Sequence, residues 1–294
     1  MSHMLVVLAG AAELPSVLRQ VDVIHDVVKE RLALKLAQAD FAVSPEQLLI
    51  RVFKYENELE VWGRPPEETK FKHIHTYAIA PLPRSDLELS DKASLGPKQQ
   101  SGDLRVPEGF YRLLYHNPWS QFHLSLAMGY PNAADAIRGW QAGIIDEETK
   151  NSVVQWWRQN LGEISTVLRA GAPTIWGGPS GALGNQIFIH GGSATIGCIP
   201  IGDIGIEELF SLTDPRRVGG TQVHIFPCRL TNPELKPRID VIAAEQPAIA
   251  EFWNTLIPPL DHFDRERTLP VVRVDPQTGA YITGNSTRDD LIDI

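Results

Sequence analysis

The chain has 294 residues, is 43% hydrophobic and carries a formal net charge of −9, enough apolar content for one large core or two modest ones. The acidic balance, with no block of Lys and Arg, excludes a nucleic-acid binder, and no apolar run approaches the ~20 residues of a membrane span. The 23 Gly and 22 Pro are dispersed, which suits a turn-rich β protein rather than disorder.

Met1-Ser2-His3-Met4 reads as a vector-derived remnant, and residues 5–12 as the stub of an export signal, short and without a basic flank. From Pro15, the residues Val17, Val21, Ile24, Val28 and Leu32 recur on one helical face. They predict an amphipathic helix to about Gln38, packed on the outside of a β core. Strands are predicted at 48–54 and 59–62 around a turn at 55–58, hence a hairpin, and at 71–80. His73 and His75 share one face of that third strand. Two same-face histidines are half a metal site or simply a polar face, and without a third ligand nearby no metal is expected.

Residues 81–102 read as a long polar loop, 110–115 and 122–128 as strands, and Pro107-Glu108-Gly109 as the turn before the first of these. Further on, Val153, Trp157, Leu161, Ile164 and Leu168 predict a helix with Asp146 as N-cap, closed by Gly171 and Pro173. Trp156 falls about a quarter turn off that stripe and should be partly exposed. Residues 177–184 are rich in Gly, Pro and Ser. After Cys198, Asp203 is expected to cap a helix containing Ile206, Leu209 and Phe210, with Glu207 and Glu208 in its early turns. A strand at 221–230 follows, and segments 270–274 and 280–282 flank a strong turn at 275–279. No internal repeat or long linker divides the chain.

The run 187–198 carries the most chemistry. It reads as a buried strand delivering His190-Gly191, then a short turn delivering Thr195-Ile196-Gly197-Cys198. A histidine at a strand end can take a proton from a nearby thiol, and the glycine before the cysteine lets backbone N–H groups converge on a developing oxyanion. The alternative is a cysteine acting as a small buried hydrophobe beside a structural histidine. Pairing of Cys198 with Cys228 would consume the nucleophile, so both are read as free, with Cys228 structural.

This pattern resembles the L,D-transpeptidase catalytic domain, the YkuD fold family of cell-wall enzymes, which usually reads His-Gly, a spacer, then Ser/Thr-His-Gly-Cys. Here Ile196 stands in place of the second histidine and the spacer is short. Both departures are similar to the YafK-like branch, in which the His of His-Gly is the only candidate base. Similar stretches are Ile50-Arg51-Val52-Phe53-Lys54 with Leu59-Glu60-Val61-Trp62, then Leu95-Gly96-Pro97-Lys98, and Gly102-Asp103 running to Pro107-Glu108-Gly109-Phe110-Tyr111. Downstream come Gly129-Tyr130-Pro131-Asn132-Ala133, Val223-His224-Ile225-Phe226-Pro227 and Phe252-Trp253. The similarity runs from about Ser44 to Tyr281, interrupted at 136–184.

The resemblance implies an α+β fold: a β-rich YkuD-type catalytic core of mixed sheets or a β-sandwich over 44–290. To it are added an N-terminal helix within 13–43 and a helical insert, 136–184, expected to form a lid or side wall of the site. It implies a peptidoglycan stem peptide as substrate, attacked at the bond after the L-centre of diaminopimelate. Cys198 would rest ionised and form a thioester, His190 would be the base, and the Gly191 carbonyl would orient the imidazole. The N–H groups of Gly197 and Cys198 are the expected oxyanion donors, with Thr195 bracing the turn. Tyr130 and Asn132 are candidates for facing the substrate, though a plain turn explains them equally. Arg229 suits the carboxylates of diaminopimelate, with Arg51 and Lys98 as further candidates and His224 structural.

No cofactor is expected. The implied partners are stem peptides, possibly a wall-anchored lipoprotein, and a carbapenem as covalent inhibitor, in the periplasm or cell envelope. Transfer and hydrolysis share this core, with transfer slightly preferred. Rival readings are an unrelated cysteine protease, a non-catalytic wall-binding module, and a protein–protein module using the N-terminal helix.

Overall fold

β1 (Gln47–Phe53) and β2 (Glu58–Arg64) pair antiparallel around a turn at 54–57, as their apolar alternation predicts. The computed structural model describes residues 14–80, 96–160, 167–168, 180–214 and 220–294, the side chains of 14–18 and 167–168 excepted. Segment 1–12 and most of the polar loop 81–102 therefore lie outside the described residues. β3 (Lys72–Ala78) adds to β2 with a register shift between Val61 and Trp62. His73 then bonds Thr76 at 2.8 Å and meets Trp62 edge-on, whereas His75 rests edge-on against Tyr77.

The remaining strands of the main sheet are β4 (Gly109–Ser120), β5 (His123–Met128), β6 (Val167–Leu168), β7 (Phe188–His190), β8 (Ile199–Pro200) and β9 (Gln222–Phe226). Their order is β3-β2-β1-β9-β4-β5-β7-β8, with β6 alongside β4. The pairs β1–β9, β4–β6 and β7–β8 are parallel and the others antiparallel, so the sheet is mixed and the fold α+β. β4 joins its two halves: Gly109 to Arg112 pair with β9, and residues from Leu113 onward pair with β5.

α1 (Leu14–Gln38) lays Val21, Ile24, Val28 and Leu32 onto the core shared with β1, β2, β5 and β7. The side chain of Val17 lies outside the described residues. α4 (Gly202–Leu212) lies in the same core through Ile206, Leu209 and Phe210. Between these two helices a buried polar cluster replaces apolar packing: His25 Nε2 meets Asp214 at 2.5 Å while Nδ1 meets the Ser211 hydroxyl.

α2 (Ala133–Gln141) and α3 (Glu147–Asn160) pack on β4 and β5 through Ala136, Ile145, Val153 and Trp157. Asp146 starts α3 as expected, accepting from the Thr149 N–H at 2.8 Å. Trp156 is partly exposed and sits edge-on to the buried Trp157. The predicted run of helix to Leu168 is corrected: Leu168 belongs to β6, where the parallel register with Tyr115 and His116 satisfies its backbone. Leu161, Ile164, Gly171 and Pro173 lie outside the described residues. A second core joins α2 to α5 (Lys236–Glu245) and α6 (Pro247–Glu266) through Ile137, Ile242, Trp253, Leu256 and Leu260. A small antiparallel sheet of β10 (Val272–Val274), β11 (Tyr281–Thr283) and β12 (Ile292–Asp293) closes that end.

Glu208 of α4 is the ionic anchor of the first core. It accepts from Tyr77 at 2.9 Å, from Lys35 at 2.7 Å and from Arg31 at 3.1 Å. Burial pushes its carboxyl pKa up, but the Lys35 and Tyr77 hydrogen bonds outweigh that and hold it below the ordinary range. A depressed folded pKa gives stability that is present above the unfolded value, ~4.3, and lost as pH falls through the folded one. Glu208→Gln should cost ~1–2 kcal/mol at neutral pH, since it weakens the charge-assisted hydrogen bonds from the part-exposed Lys35 and Arg31, and should reduce the acid-induced loss below pH ~4. Denaturant midpoints measured at both pH values check this; an unchanged acid slope would remove Glu208 from the account.

Candidate active site

His190 ends β7, and Cys198 lies one residue before β8. Ile189 is in register with Ile199, and His190 with Pro200. Continued back one pair, the register sets Cys198 beside Phe188. Alternate residues share a face, so imidazole and thiol project from the same side of adjacent strands, a diagonal separation of ~7–8 Å.

The imidazole is fixed. His190 Nδ1 lies 2.6 Å from the Gly191 carbonyl oxygen, the contact expected of that residue. A carbonyl only accepts, so Nδ1 carries the proton and Nε2 is left with its lone pair. A Cβ at Gly191 would stand 2.6 Å from both Asp203 Oδ1 and the Phe122 carbonyl, which is why the residue after this histidine is glycine. The Phe122 ring, 47% exposed, covers the imidazole at 4.5 Å between centroids with a 31° tilt. Burial lowers the His190 pKa below its usual value, against the opposing effect of the Gly191 carbonyl.

The turn is held by two side chains. Thr195 Oγ1 accepts from the N–H groups of Gly197 at 3.1 Å and Cys198 at 2.8 Å, and donates to the Cys198 carbonyl at 2.8 Å. This corrects the oxyanion assignment: both expected donors are spent on the threonine hydroxyl, and Thr195 is the brace that the sequence suggested. Asp203 is corrected too. It does not cap α4; its Oδ1 accepts from the Gly192 N–H at 2.8 Å, tying the far side of the turn to the helix. Gly197 has φ +133°, and a Cβ there would lie 3.1 Å from the Arg105 carbonyl.

The half-buried thiol of Cys198 donates to the Gln186 carbonyl at 3.8 Å, not to the imidazole. Burial raises its pKa, offset in part by a backbone hydrogen bond from Phe188 and by the charge of Lys98. Burial thus disfavours the ionised resting sulfur that the sequence suggested, as it disfavours a charged imidazole at His190. For the thiol to pass a proton to Nε2 it would have to rotate away from the Gln186 carbonyl, and contacts of that kind commonly tighten only with substrate bound. Cys228 is buried and free, its thiol pushed well above the ordinary range by its surroundings.

The proposed binding residues take other roles. Asn132 is buried and starts α2 in a capping box with Asp135, while its Nδ2 donates to the Phe110 carbonyl at 2.9 Å. Tyr130 is buried and donates to the Leu183 carbonyl at 3.2 Å. Arg229 pairs with Glu58 at 2.5 Å and Glu60 at 2.8 Å over the Phe53 ring. Arg51 is buried between Glu60 and Asp264. These side chains are already satisfied within the fold, so the substrate-facing expectation for Tyr130, Asn132 and Arg229 is corrected. His224 is buried, which pushes its pKa down to about 3. Sequence reasoning missed Phe122 and Gln186 altogether; each reaches the site by strand register, which leaves no local signal.

If the resting pair is neutral, alkylation of Cys198 by iodoacetamide should show a pH midpoint above that of an ordinary thiol, ~8.5, with Cys228 unlabelled in the folded protein. Peptide mapping across pH 6–10 reads both sites, and a midpoint below 8.5 would establish a resting thiolate instead.

No family model matches the chain. Among curated proteins it is similar to the "Putative L,D-transpeptidase YafK" of Escherichia coli K12, 24% identical over 248 residues, covering 83% of this chain and 76% of that protein. The counterpart from Escherichia coli O157:H7 matches equally. Among solved structures, the helical cell shape determining protein Pgp2 from Campylobacter jejuni superposes with a TM-score of 0.37 at 18% identity. That match covers 67% of this chain and 55% of Pgp2, so the chain spans little more than half of that structure. Bd1075 of Bdellovibrio bacteriovorus gives 0.33 at 17% identity, covering 76% of this chain and 62% of Bd1075. Along most of its length, then, the chain is similar to a putative L,D-transpeptidase of the YafK type.

Proposed function

We propose that the protein is a cysteine-dependent enzyme of the bacterial cell wall that cleaves peptidoglycan stem peptides through a thioester, with L,D-transpeptidation as its reaction. The observation that carries this reading is the 2.6 Å contact of His190 Nδ1 with the Gly191 carbonyl, which leaves Nε2 as a base on the face that carries Cys198. The likeness to the putative L,D-transpeptidase YafK supports a substrate in the cell wall. Among the described residues no helix is long and apolar enough to cross a membrane.

Cys198 Sγ attacks the carbonyl carbon of the bond after the L-centre of diaminopimelate, and its proton passes to His190 Nε2. The tetrahedral intermediate collapses to a thioester as the C–N bond breaks, and the leaving amine takes the proton from the imidazolium. An amine of a second stem then attacks the thioester carbonyl, yields its proton to Nε2, and releases the sulfur, which takes that proton back. A lysine of a wall-anchored lipoprotein as nucleophile would give anchoring, and water would give hydrolysis. No step calls for a cofactor. Because the His190 pKa is lowered, its neutral form persists into acid, and the acid limb of kcat/KM should fall below pH ~6.5.

Intact-mass spectrometry after incubation with meropenem or a disaccharide tetrapeptide tests the reading. A covalent adduct on the native chain, absent from Cys198→Ala, is expected, and His190→Ala should slow acylation by ~10²–10⁴-fold. Wall-fragment turnover that survives Cys198→Ala would overturn it. The products from natural substrate separate transfer from hydrolysis.

A further inference from the structure

β4 and β5 last pair at Ser120 and His123, which leaves Gln121 and Phe122 as the turn of the hairpin. The Ser120 hydroxyl accepts from the Phe122 N–H at 3.1 Å, and the Phe122 carbonyl accepts from the Leu124 N–H at 2.9 Å. Between these two bonds His123 takes φ +69°, a left-handed conformation uncommon for a residue with a side chain. Its imidazole is held by Glu207 of α4 at 2.9 Å, and Glu207 also accepts from Arg31 of α1 at 2.8 Å. The tip of the hairpin is thus tied to two helices. The break at His123 separates its neighbours: Leu124 is buried in the core, whereas Phe122 stays half exposed.

Burial does not explain a ring left half in solvent. What the ring meets is His190, at 4.5 Å between centroids with a 31° tilt, so the imidazole lies over the face of the phenyl ring and not at its edge. The backbone sets this stack. The Gly191 N–H donates to the Leu124 carbonyl at 3.2 Å, and Ser125 is in register with His190. The face is the negative side of an aromatic ring and attracts a cation centred within ~6 Å. A neutral imidazole gains little from it, an imidazolium more. Burial disfavours the charged form of His190, so the face matters most once Nε2 has taken a proton.

The charged and titratable groups around the imidazole are engaged elsewhere. On α4, Asp203 accepts from the Gly192 N–H at 2.8 Å, and Glu207 is shared by His123 of β5 and Arg31 of α1. In the 96–106 segment, Asp103 is paired with Lys98 at 2.7 Å, and the Arg105 guanidinium lies against Gly96. The Cys198 thiol turns to the Gln186 carbonyl. Among the described residues, the hydrogen bond of the His190 ring is to the Gly191 carbonyl and its stacking partner is Phe122.

We propose that Phe122 is a positioning residue of the base: its ring face orients the His190 imidazole and holds the imidazolium that forms when Cys198 gives up its proton. The proposal rests on the reading of Cys198 as nucleophile and His190 as base. The phenyl ring exchanges no atom or electron. It stabilises the charged imidazole while the thiol proton is on Nε2, before that proton leaves with the amine.

The test is the titration of His190 in the full chain, followed by NMR of the imidazole Cε1–H and assigned by the signal missing from His190→Gln. Phe122→Leu keeps an apolar cover but removes the aromatic face, and should lower the midpoint by roughly half a unit. Phe122→Tyr should restore it. On wall fragments, Phe122→Leu should cut kcat by about 2–5-fold with KM little changed and move the acid limb to lower pH, and Phe122→Tyr should recover both. A cover that worked by excluding water alone would leave the midpoint in place or raise it as water entered. An unchanged or raised midpoint in Phe122→Leu therefore overturns the proposal. Ring fluorination at position 122 keeps the shape and weakens the negative face; it should lower the midpoint too, and it decides the matter where Phe122→Leu does not fold. The Cys198→Ala control is separate: turnover that survives it overturns the function, while the midpoint still decides the stack.

Discussion

Parallel neighbours in a sheet ordinarily need a crossover of a dozen residues or more, because the chain must travel back to the starting edge before it can pair. β7 and β8 are parallel neighbours joined by residues 191–198 alone. The return is possible because the two strands are three and two residues long, so little distance has to be recovered. It is also why the turn needs so many fixed points. Thr195 gathers two N–H groups and a carbonyl from its own chain end, Asp203 holds Gly192 from the outside, and the Ile201 N–H bonds back to the His190 carbonyl at 2.9 Å. A longer, looser connection could pair the strands in the same register but would leave the turn before Cys198 without these fixed points.

That construction has an electrostatic consequence. His190 and Cys198 are both recessed, the Phe122 ring lying over the imidazole, and burial disfavours the charged form of each. A neutral pair costs less to bury than a thiolate–imidazolium pair, whose desolvation would have to be recovered by mutual attraction. The walls matter more than usual in such a site, because they decide how much water accompanies the reacting groups.

How far the fold was legible depended on whether its signals were local. α1 declared itself through Val21, Ile24, Val28 and Leu32, and the first hairpin through its alternation. Asp146 and the turn at 275–279 also carried their own chemistry, the latter with Asp275 accepting from Gln277 and Thr278. α6 has no counterpart in the sequence reading: Pro258 and Pro259 stand inside it, although Phe252, Trp253, Leu256, Leu260 and Phe263 keep helical spacing through them. Asn132 carried a readable capping box with Asp135, obscured by a turn-forming Pro131 just before it. In the site, His190, Cys198, Gly191 and Thr195 lay within one short segment. Gln186 and Phe122 come from two separate loops, and nothing local says that either reaches the thiol or the imidazole.

Ile196 bears on the choice between transfer and hydrolysis. It occupies the position before Gly197 and is 77% exposed, so the turn supplies no second imidazole and its outer rim is apolar. On the thioester reading, His190 then serves both half-reactions, taking the thiol proton in the first and the acceptor proton in the second. One base cannot favour an amine over water by its own chemistry, since it accepts the proton of either. Selection must come from which nucleophile reaches the thioester first. That is a question of access, set by the exposed Ile196 and Phe122 on one side and by the 96–106 loop and the 180–187 segment on the other. An apolar rim disfavours ordered water more than it disfavours a long aliphatic amine, whose methylenes can lie against it while the nitrogen reaches inward. On the thioester reading, that rim is what would tilt the outcome toward transfer.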